Sequence, residues 1–228
     1  EDIADYLANT PEFFVRHASL LAQVHLTSPH SQRAVSLQER QAEMLREKIR
    51  VLEQRLMEML RNGNDNLILS NKILRWAGSL LQCTEVRTLP QYITSSIAMQ
   101  FDVPQVGVRL WQLASGYAQE PYAQGVSQDL KVFANSLTEP FCGLNTGFES
   151  IGWLEQPQGV GSLALIPLRQ GPATAEQPAV GLLVLASSDT QRFSNGMGTE
   201  FLARIGELVS AALSRLHPDA RTQTMAQK

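Results

Sequence analysis

Cysteine is nearly missing from this chain: Cys83 and Cys142 are the only two in 228 residues, too few for a disulfide framework. They suit a reducing cytoplasm, where a free cysteine behaves as a small apolar residue. An excess of one charge is missing too, since the formal net charge is -3. Coating nucleic acid needs a broad basic face, so nucleic acid is not the expected partner. No apolar run approaches the roughly 20 residues of a membrane span, and the N-terminus lacks the layout of a signal peptide. Three of the four histidines, His17, His25 and His30, fall close together at spacings of eight and five. Those spacings do not share one helical face, and no cysteine or carboxylate clusters with them, so neither a metal nor any other cofactor is expected. A composition of 43% hydrophobic and 18% charged residues fits one ordinary domain plus an extended element.

That extended element spans residues 36–82. With Val35, Ala42, Ile49 and Leu56 at position a of a heptad, Leu45, Leu52 and Met59 fall at d, an apolar seam repeating every seven residues. No proline interrupts it, and Glu39, Arg40, Glu43, Arg46, Glu47, Arg50 and Glu58 supply good helix formers between the seam positions. A helix of this length reaches roughly 70 Å at 1.5 Å per residue, so it needs a partner outside the globular part. The expected partner is a second copy, with Ala42, Leu45, Ile49, Leu52, Leu56 and Met59 forming the dimer seam. Ile49 at a between Leu45 and Leu52 at d favours two parallel strands, and Lys48 at g then faces Glu53 at e of the other chain; antiparallel pairing stays open. The seven basic and five acidic residues from Arg33 to Arg61 read as a solvated surface.

Beyond Leu56 the repeat shifts. Leu60, Leu67, Leu74 and Leu81 recur by seven, with Gly63, Ser70 and Ala77 in the complementary places, so four residues have been inserted. Asn62, Gly63, Asn64, Asp65 and Asn66 sit at that point and are poor helix formers. Either the helix breaks there, or it continues with a soft spot.

Residues 1–35 read as a small helical unit. Ile3, Tyr6, Leu7, Phe13, Phe14, Leu20, Leu21 and Val24 recur at helical spacings, and Thr10 before Pro11 marks a helix start. A unit this small cannot bury its own apolar residues, which predicts that it folds back on the long helix or on a partner, and it is the candidate surface for a protein partner. A linker, TSPHSQRA, leads to Ser36 and Glu39, a capping box for the long helix.

Residues 83–217 carry the globular pattern. A helix from Arg87 to Phe101 presents Leu89, Tyr92, Ile93, Ile97 and Phe101 on one face. The period then changes to two: Val106, Val108 and Leu110 alternate with Gly107, Arg109 and Trp111 in a strand over 103–113. GSLALIPLR (161–169) and AVGLLVLAS (179–187) are continuously apolar, as strands covered on both faces are, and the Pro- and Gly-rich residues between them predict a hairpin loop. A last helix over 198–216 has a stripe of Phe201, Leu202, Ile205, Leu208, Val209, Ala212 and Leu213, and Pro218 follows it. Residues 218–228 lack apolar pattern and are expected to be disordered. The fold class is α+β, an antiparallel sheet with helices on both faces.

VGVRLW, GSLALIPL and AVGLLVLASSDTQRFSNGMGTEFLARIGELVSAAL, taken in that order, are similar to the GAF domain, a ligand-binding and sensory fold. The whole chain, with YLANTPEFFVRHASLLAQVHL and AVSLQERQAEMLREKIRVLEQRL preceding that part, resembles a bacterial family catalogued as domain of unknown function 484. The resemblance implies a small-molecule pocket on the far face of the sheet, roofed by a helix at 129–136 and by loops. Arg109, Trp111, Tyr122, Phe133 and Trp153 are then the candidate ligand-binding residues, an arginine beside an indole being suited to a carboxylate or phosphate. The opposing reading makes Arg109 an exposed arginine whose stem covers the sheet, and most of the aromatics core. Some GAF-like proteins reduce methionine sulfoxide with clustered cysteines, but Cys142 stands alone in the middle segment. The Asn-Lys-Phe-Asp-Glu signature of cyclic-nucleotide binders is absent from the sequence.

The sequence therefore points to a non-enzymatic, cytoplasmic, homodimeric sensory or regulatory module that binds a small molecule. The alternative is a protein–protein interaction scaffold whose GAF-like pocket is unoccupied, either empty or filled in.

Overall fold

A computed structural model describes residues 2–19, 25–27, 34–170, 177–194 and 198–218. They divide into two compact units, one up to Leu67 and one from Ile68 onward.

In the first unit, α1 (Asp2–Asn9) and α2 (Glu12–Arg16) contain no buried residue. Phe13 packs edge-on against Phe14, ring centroids 5.6 Å apart, and lies 4.7 Å from the His17 ring. A small antiparallel ladder flanks the expected linker, residues 28–33 of which lie outside the described residues: β1 (His25–Thr27) pairs with β2 (Ala34–Ser36), Leu26 opposite Val35. Local periodicity could not signal it, because three-residue strands carry too little pattern.

The helix α3 (Leu37–Gln82) runs 46 residues without a break, so Asn62 to Asn66 do not end it. A glycine within a helix costs about 1 kcal/mol relative to alanine. Propagation between long flanks of good formers absorbs such a cost, because no second nucleation is needed. Exposed pairs Arg40–Glu43 and Glu47–Arg50, at 2.9 and 3.2 Å, add a few tenths of a kcal/mol each at the usual ~0.3 kcal/mol for such spacing.

The second unit is built on a four-stranded antiparallel sheet of order β3-β6-β5-β4, from β3 (Gln105–Leu110), β4 (Phe141–Leu144), β5 (Ser162–Arg169) and β6 (Ala179–Ser187). Strand β4 was not expected from the sequence, which assigned Gly143 to Gly152 to a loop. It is a four-residue edge strand, and only its pairing with β5, Cys142 opposite Ala164, reveals it. The central strands are covered on both faces as their apolar runs predicted, and the pleat divides them cleanly. Val106, Val108, Leu110, Ala164, Ile166, Leu168, Leu183 and Leu185 enter one core; Leu163, Leu165, Leu182, Val184 and Ala186 enter another.

The first core lies under three helices. The last turns of α3 contribute Ile73, Trp76 and Leu80; α4 (Leu89–Phe101) contributes Leu89, Ile93 and Ile97; α6 (Glu200–Leu213) contributes Leu202, Ile205, Val209 and Leu213. Trp76 is fully buried, donates Nε1–H to Ser96 Oγ at 2.9 Å and meets Phe101 edge-on at 5.8 Å. α6 lies close on β5, for a Cβ at Gly206 would stand 2.6 Å from Ile166 Cγ2. The expected helix at 198–216 is thus α6 followed by one 3₁₀ turn, Ser214–Leu216. Residues 219–228 and most of the loop between β5 and β6 lie outside the described residues.

Candidate functional site: the aromatic face of the sheet

The second core is the face where a ligand was expected. Its roof is α5 (Gln128–Ser136), close to the helix anticipated at 129–136. Ser127 caps α5 by accepting from Leu130 N–H at 3.1 Å, and Glu149 receives both the Ser127 N–H and its hydroxyl. The other end of α5 is held by a residue that sequence reading missed. Arg169, buried at the end of β5, donates Nη2 to the carbonyls of Leu137 at 2.6 Å and Asn135 at 3.2 Å, and Nη1 to Gln177. Carbonyls at a helix C-terminus carry partial negative charge, which favours a buried guanidinium that has no carboxylate partner among the described residues. Burial lowers its pKa from the ordinary arginine value. The one available signal was a charged residue ending an otherwise apolar strand.

Of the five predicted ligand residues, four come together. Trp111 leaves β3 toward the roof, is 7% exposed and donates Nε1–H to Ala179 O at 2.6 Å. The next residue, Gln112, has φ +59°, a left-handed conformation costing a side-chain-bearing residue about 1 kcal/mol or more. The flanking bonds Trp111 N–H to Val180 O, 2.9 Å, and His217 Nδ1 with Gln112 O, 3.0 Å, hold that turn. Arg109 also points to this side, where its Nε donates to Gln124 O at 3.1 Å and its Nη1 to Val108 O at 3.0 Å. Its guanidinium carbon lies 5.4 Å from the Trp153 ring centre, and desolvation lowers its pKa. Trp153 donates Nε1–H to Gly125 O at 3.1 Å. Phe133 packs on Phe148, and Phe148 on Phe141, with ring centres 5.9 and 5.5 Å apart. The space between sheet and roof thus holds side chains of the chain itself: Leu130, Ala134, Ile151 and Leu154 are buried there beside the aromatics.

Tyr122 is separated from the other four. Two 3₁₀ turns, Ser115–Tyr117 and Pro121–Ala123, carry it to the first core, near Arg87, Glu120 and Tyr117. Arg87 pairs with Glu120 and stacks over Tyr117, 5.5 Å from its centre. The Tyr122 hydroxyl is buried without a hydrogen-bond partner, and desolvation, followed by the charge of Glu120, pushes its pKa up to about 12.

Groups that could do chemistry stand apart from one another. Cys142 is buried in the first core, where desolvation raises its thiol pKa and keeps it protonated. His217 is buried beside Gln112. Among the described residues no three His, Cys, Asp or Glu side chains group as a metal site would, and no helix is long and apolar enough to cross a membrane.

The predicted dimer seam is open to solvent in the single chain. Leu45, Ile49, Leu52, Leu56 and Met59 are all exposed, Leu52 at 58%, with Ala42 half-buried. An open groove of about 1070 Å³ follows the same helix from Arg40 to Val51 and includes Met44, Leu45 and Lys48 in its lining.

The class defined by these elements is an α+β unit of GAF-like layout, an antiparallel sheet between a helical layer and a helix-and-loop roof. Over residues 1–217 the chain matches the family described as "Protein of unknown function, DUF484", and it belongs to that family. It is similar to the uncharacterized protein YigA of Salmonella typhimurium, 23% identical over 222 residues covering 93% of this chain and 90% of that one. The YigA of Escherichia coli strain K12 is 24% identical over the same coverage. Among solved structures, it is similar to the GAF domain of an Acinetobacter phosphoenolpyruvate-protein phosphotransferase, 12% identical, TM-score 0.44, covering 71% of this chain and 98% of that one. The free methionine-R-sulfoxide reductase of Neisseria meningitidis is 10% identical, TM-score 0.43, covering 64% and 88%. Likeness at that level says nothing about ligand or activity.

Proposed function

We propose that this protein is a dimeric regulatory module that acts by protein–protein association rather than by catalysis, in a reducing cytoplasm where Cys83 and Cys142 stay as free thiols. The observation that carries this reading is the occupied far face of the sheet. Trp111, Trp153 and Arg109 donate to carbonyls of their own chain, and the aromatics fill the space beneath α5. A small-molecule site needs concave space with polar groups left for the ligand. Among the described residues, apolar side chains stand exposed along the α3 seam and at Ile3, Tyr6 and Val15 on α1 and α2. The seam suits a second copy, and the N-terminal helices suit another protein.

A second reading, a small-molecule sensor, is favoured by Ser150. Its hydroxyl is fully buried on the turn that carries Ile151 and Trp153, and it lacks a hydrogen-bond partner. Buried hydroxyls without partners are rare, and a ligand would satisfy this one.

Native mass spectrometry of gently purified protein, with sedimentation of Leu52→Glu, tests both. A dimer of two bare chains that Leu52→Glu turns into monomers supports the association module. Stoichiometric extra mass lost on denaturation supports the sensor, and a monomeric wild-type chain refutes the dimer.

A further inference from the structure

The turn that closes the second unit touches two distant parts of it. Residues Ser214–Leu216 form the 3₁₀ turn after α6, and Leu216 is fully buried in the first core. On one side the exposed Arg215 donates Nη1 to Cys83 O at 3.1 Å and Nη2 to Thr84 O at 3.3 Å, the carbonyls that directly follow α3. On the other, His217 Nδ1 meets Gln112 O at 3.0 Å, and Leu216 O accepts from Ala114 N–H at 3.0 Å. Gln112 adjoins Trp111, whose side chain lies in the second core beneath α5. Three consecutive residues, Arg215, Leu216 and His217, therefore connect the far face of the sheet with the C-terminal end of α3. Every group in this connection belongs to the second unit.

Two unfavourable features meet at this connection. Gln112 holds φ +59°, which residues with a side chain adopt rarely, and His217 Nε2 is buried without a hydrogen-bond partner. Strain of this kind narrows the gap between the described arrangement and an open one, in which Gln112 returns to negative φ and Nε2 reaches water. We propose that residues 214–217 are a two-position clasp: closed, they tie the end of α3 to the far face of the sheet, and displacement of Trp111 opens them and frees the Cys83 and Thr84 carbonyls. Leu216 is the pivot, because Arg215 and His217 flank it on one short turn and neither shifts without the other. The clasp goes beyond the association reading above and does not depend on the dimer.

Amide hydrogen exchange of the full chain, read by mass spectrometry over residues 80–88 and 110–116 with β5 and β6 as internal reference, tests this. Coupling between two ends is reciprocal. Arg215→Gln removes the contacts with Cys83 and Thr84, yet it should speed exchange at least fivefold at 110–116 as well as at 80–88, with β5 and β6 unchanged. Gln112→Gly works in the opposite sense: at an exposed position it relieves the left-handed backbone and favours the closed clasp. Protection at 80–88 should then rise at least threefold. Changes confined to the substituted end overturn the proposal. A uniform acceleration that includes β5 and β6 overturns it too, since the turn would then be an ordinary part of the core. If Arg215→Gln does not fold, Gln112→Gly decides alone, and unchanged exchange at 80–88 overturns the clasp.

Discussion

Trp76 ties the long helix to the sheet-bearing unit, and its replacement should be costly in a way that can be taken apart. The side chain has no exposure, fills space between Ser96 and Phe101, and lies beside Ile73 and Leu80. Truncation of a buried aromatic removes its transfer free energy and leaves a cavity, a total of about 3–5 kcal/mol. Trp76→Ala should therefore lose about 4 kcal/mol. With a shift of roughly 2–4 °C per kcal/mol for a unit of this size, the melting temperature should fall by about 10 °C. The hydrogen bond can be separated from the packing. Ser96→Ala leaves the indole N–H buried and unpaired, at about 1–3 kcal/mol. In Trp76→Phe the Ser96 hydroxyl still donates to the Ile93 carbonyl at 3.1 Å, so little beyond volume is lost. Adding Ser96→Ala to Trp76→Phe should then cost less than it does in the wild type. Urea unfolding followed by far-ultraviolet circular dichroism gives all four values. A loss under about 1 kcal/mol for Trp76→Ala would mean that the last turns of α3 are not part of this core, and the reasoning would fail.

His217 should make stability depend on pH. Its burial depresses the pKa below the ordinary 6.5, outweighing the opposing effect of the Gln112 carbonyl. The unfolded chain then binds a proton that the folded one does not, so the contribution is fully present above pH 6.5 and is lost as pH falls below it, by at most about 1.4 kcal/mol per pH unit. Urea midpoints at pH 7.5 and 5.5 should draw together in His217→Gln, and an unchanged difference would count against a buried neutral imidazole. Tyr122→Phe removes a hydroxyl that is buried without a partner. Stability should hold or rise by up to about 1 kcal/mol; a loss larger than that would show that the hydroxyl has a partner in solution.

Legibility followed the reach of each signal. Ala179 to Ser187 was bounded to the residue, because a continuously apolar run between turn-formers has few other readings. The alternation in β3 assigned Val106, Val108 and Leu110 to one side and Arg109 and Trp111 to the other, as the pleat requires. β4 escaped because Phe141–Leu144 is short and glycine-bearing, so its strand character comes from β5. Tyr122 was grouped with the wrong aromatics because two 3₁₀ turns redirect the chain between β3 and α5, and no periodicity reports such a change of direction. Arg169 was invisible for the same reason: its partners, Asn135 and Leu137, lie more than thirty residues away.

The sequence alone determined the period of every long element: a heptad seam on α3, two-residue alternation in β3, unbroken apolar strands at the sheet's centre and an apolar stripe on α6. These are local properties, since 3.6- and 2-residue repeats decide which side chains share a face before any contact forms. Tertiary structure alone decided which of the two stripes on α3 is buried, because Ile73, Trp76 and Leu80 and the row of Leu74 and Leu81 are both apolar. Only the groove between α4 and the sheet, with Ser96 placed to receive the Trp76 indole, distinguishes them. It also brought Leu130, Ala134, Ile151 and Leu154 together with the aromatics on the far face of the sheet, because the roof helix is held at its two ends by Glu149 and Arg169, whose partners lie at distant points in the sequence.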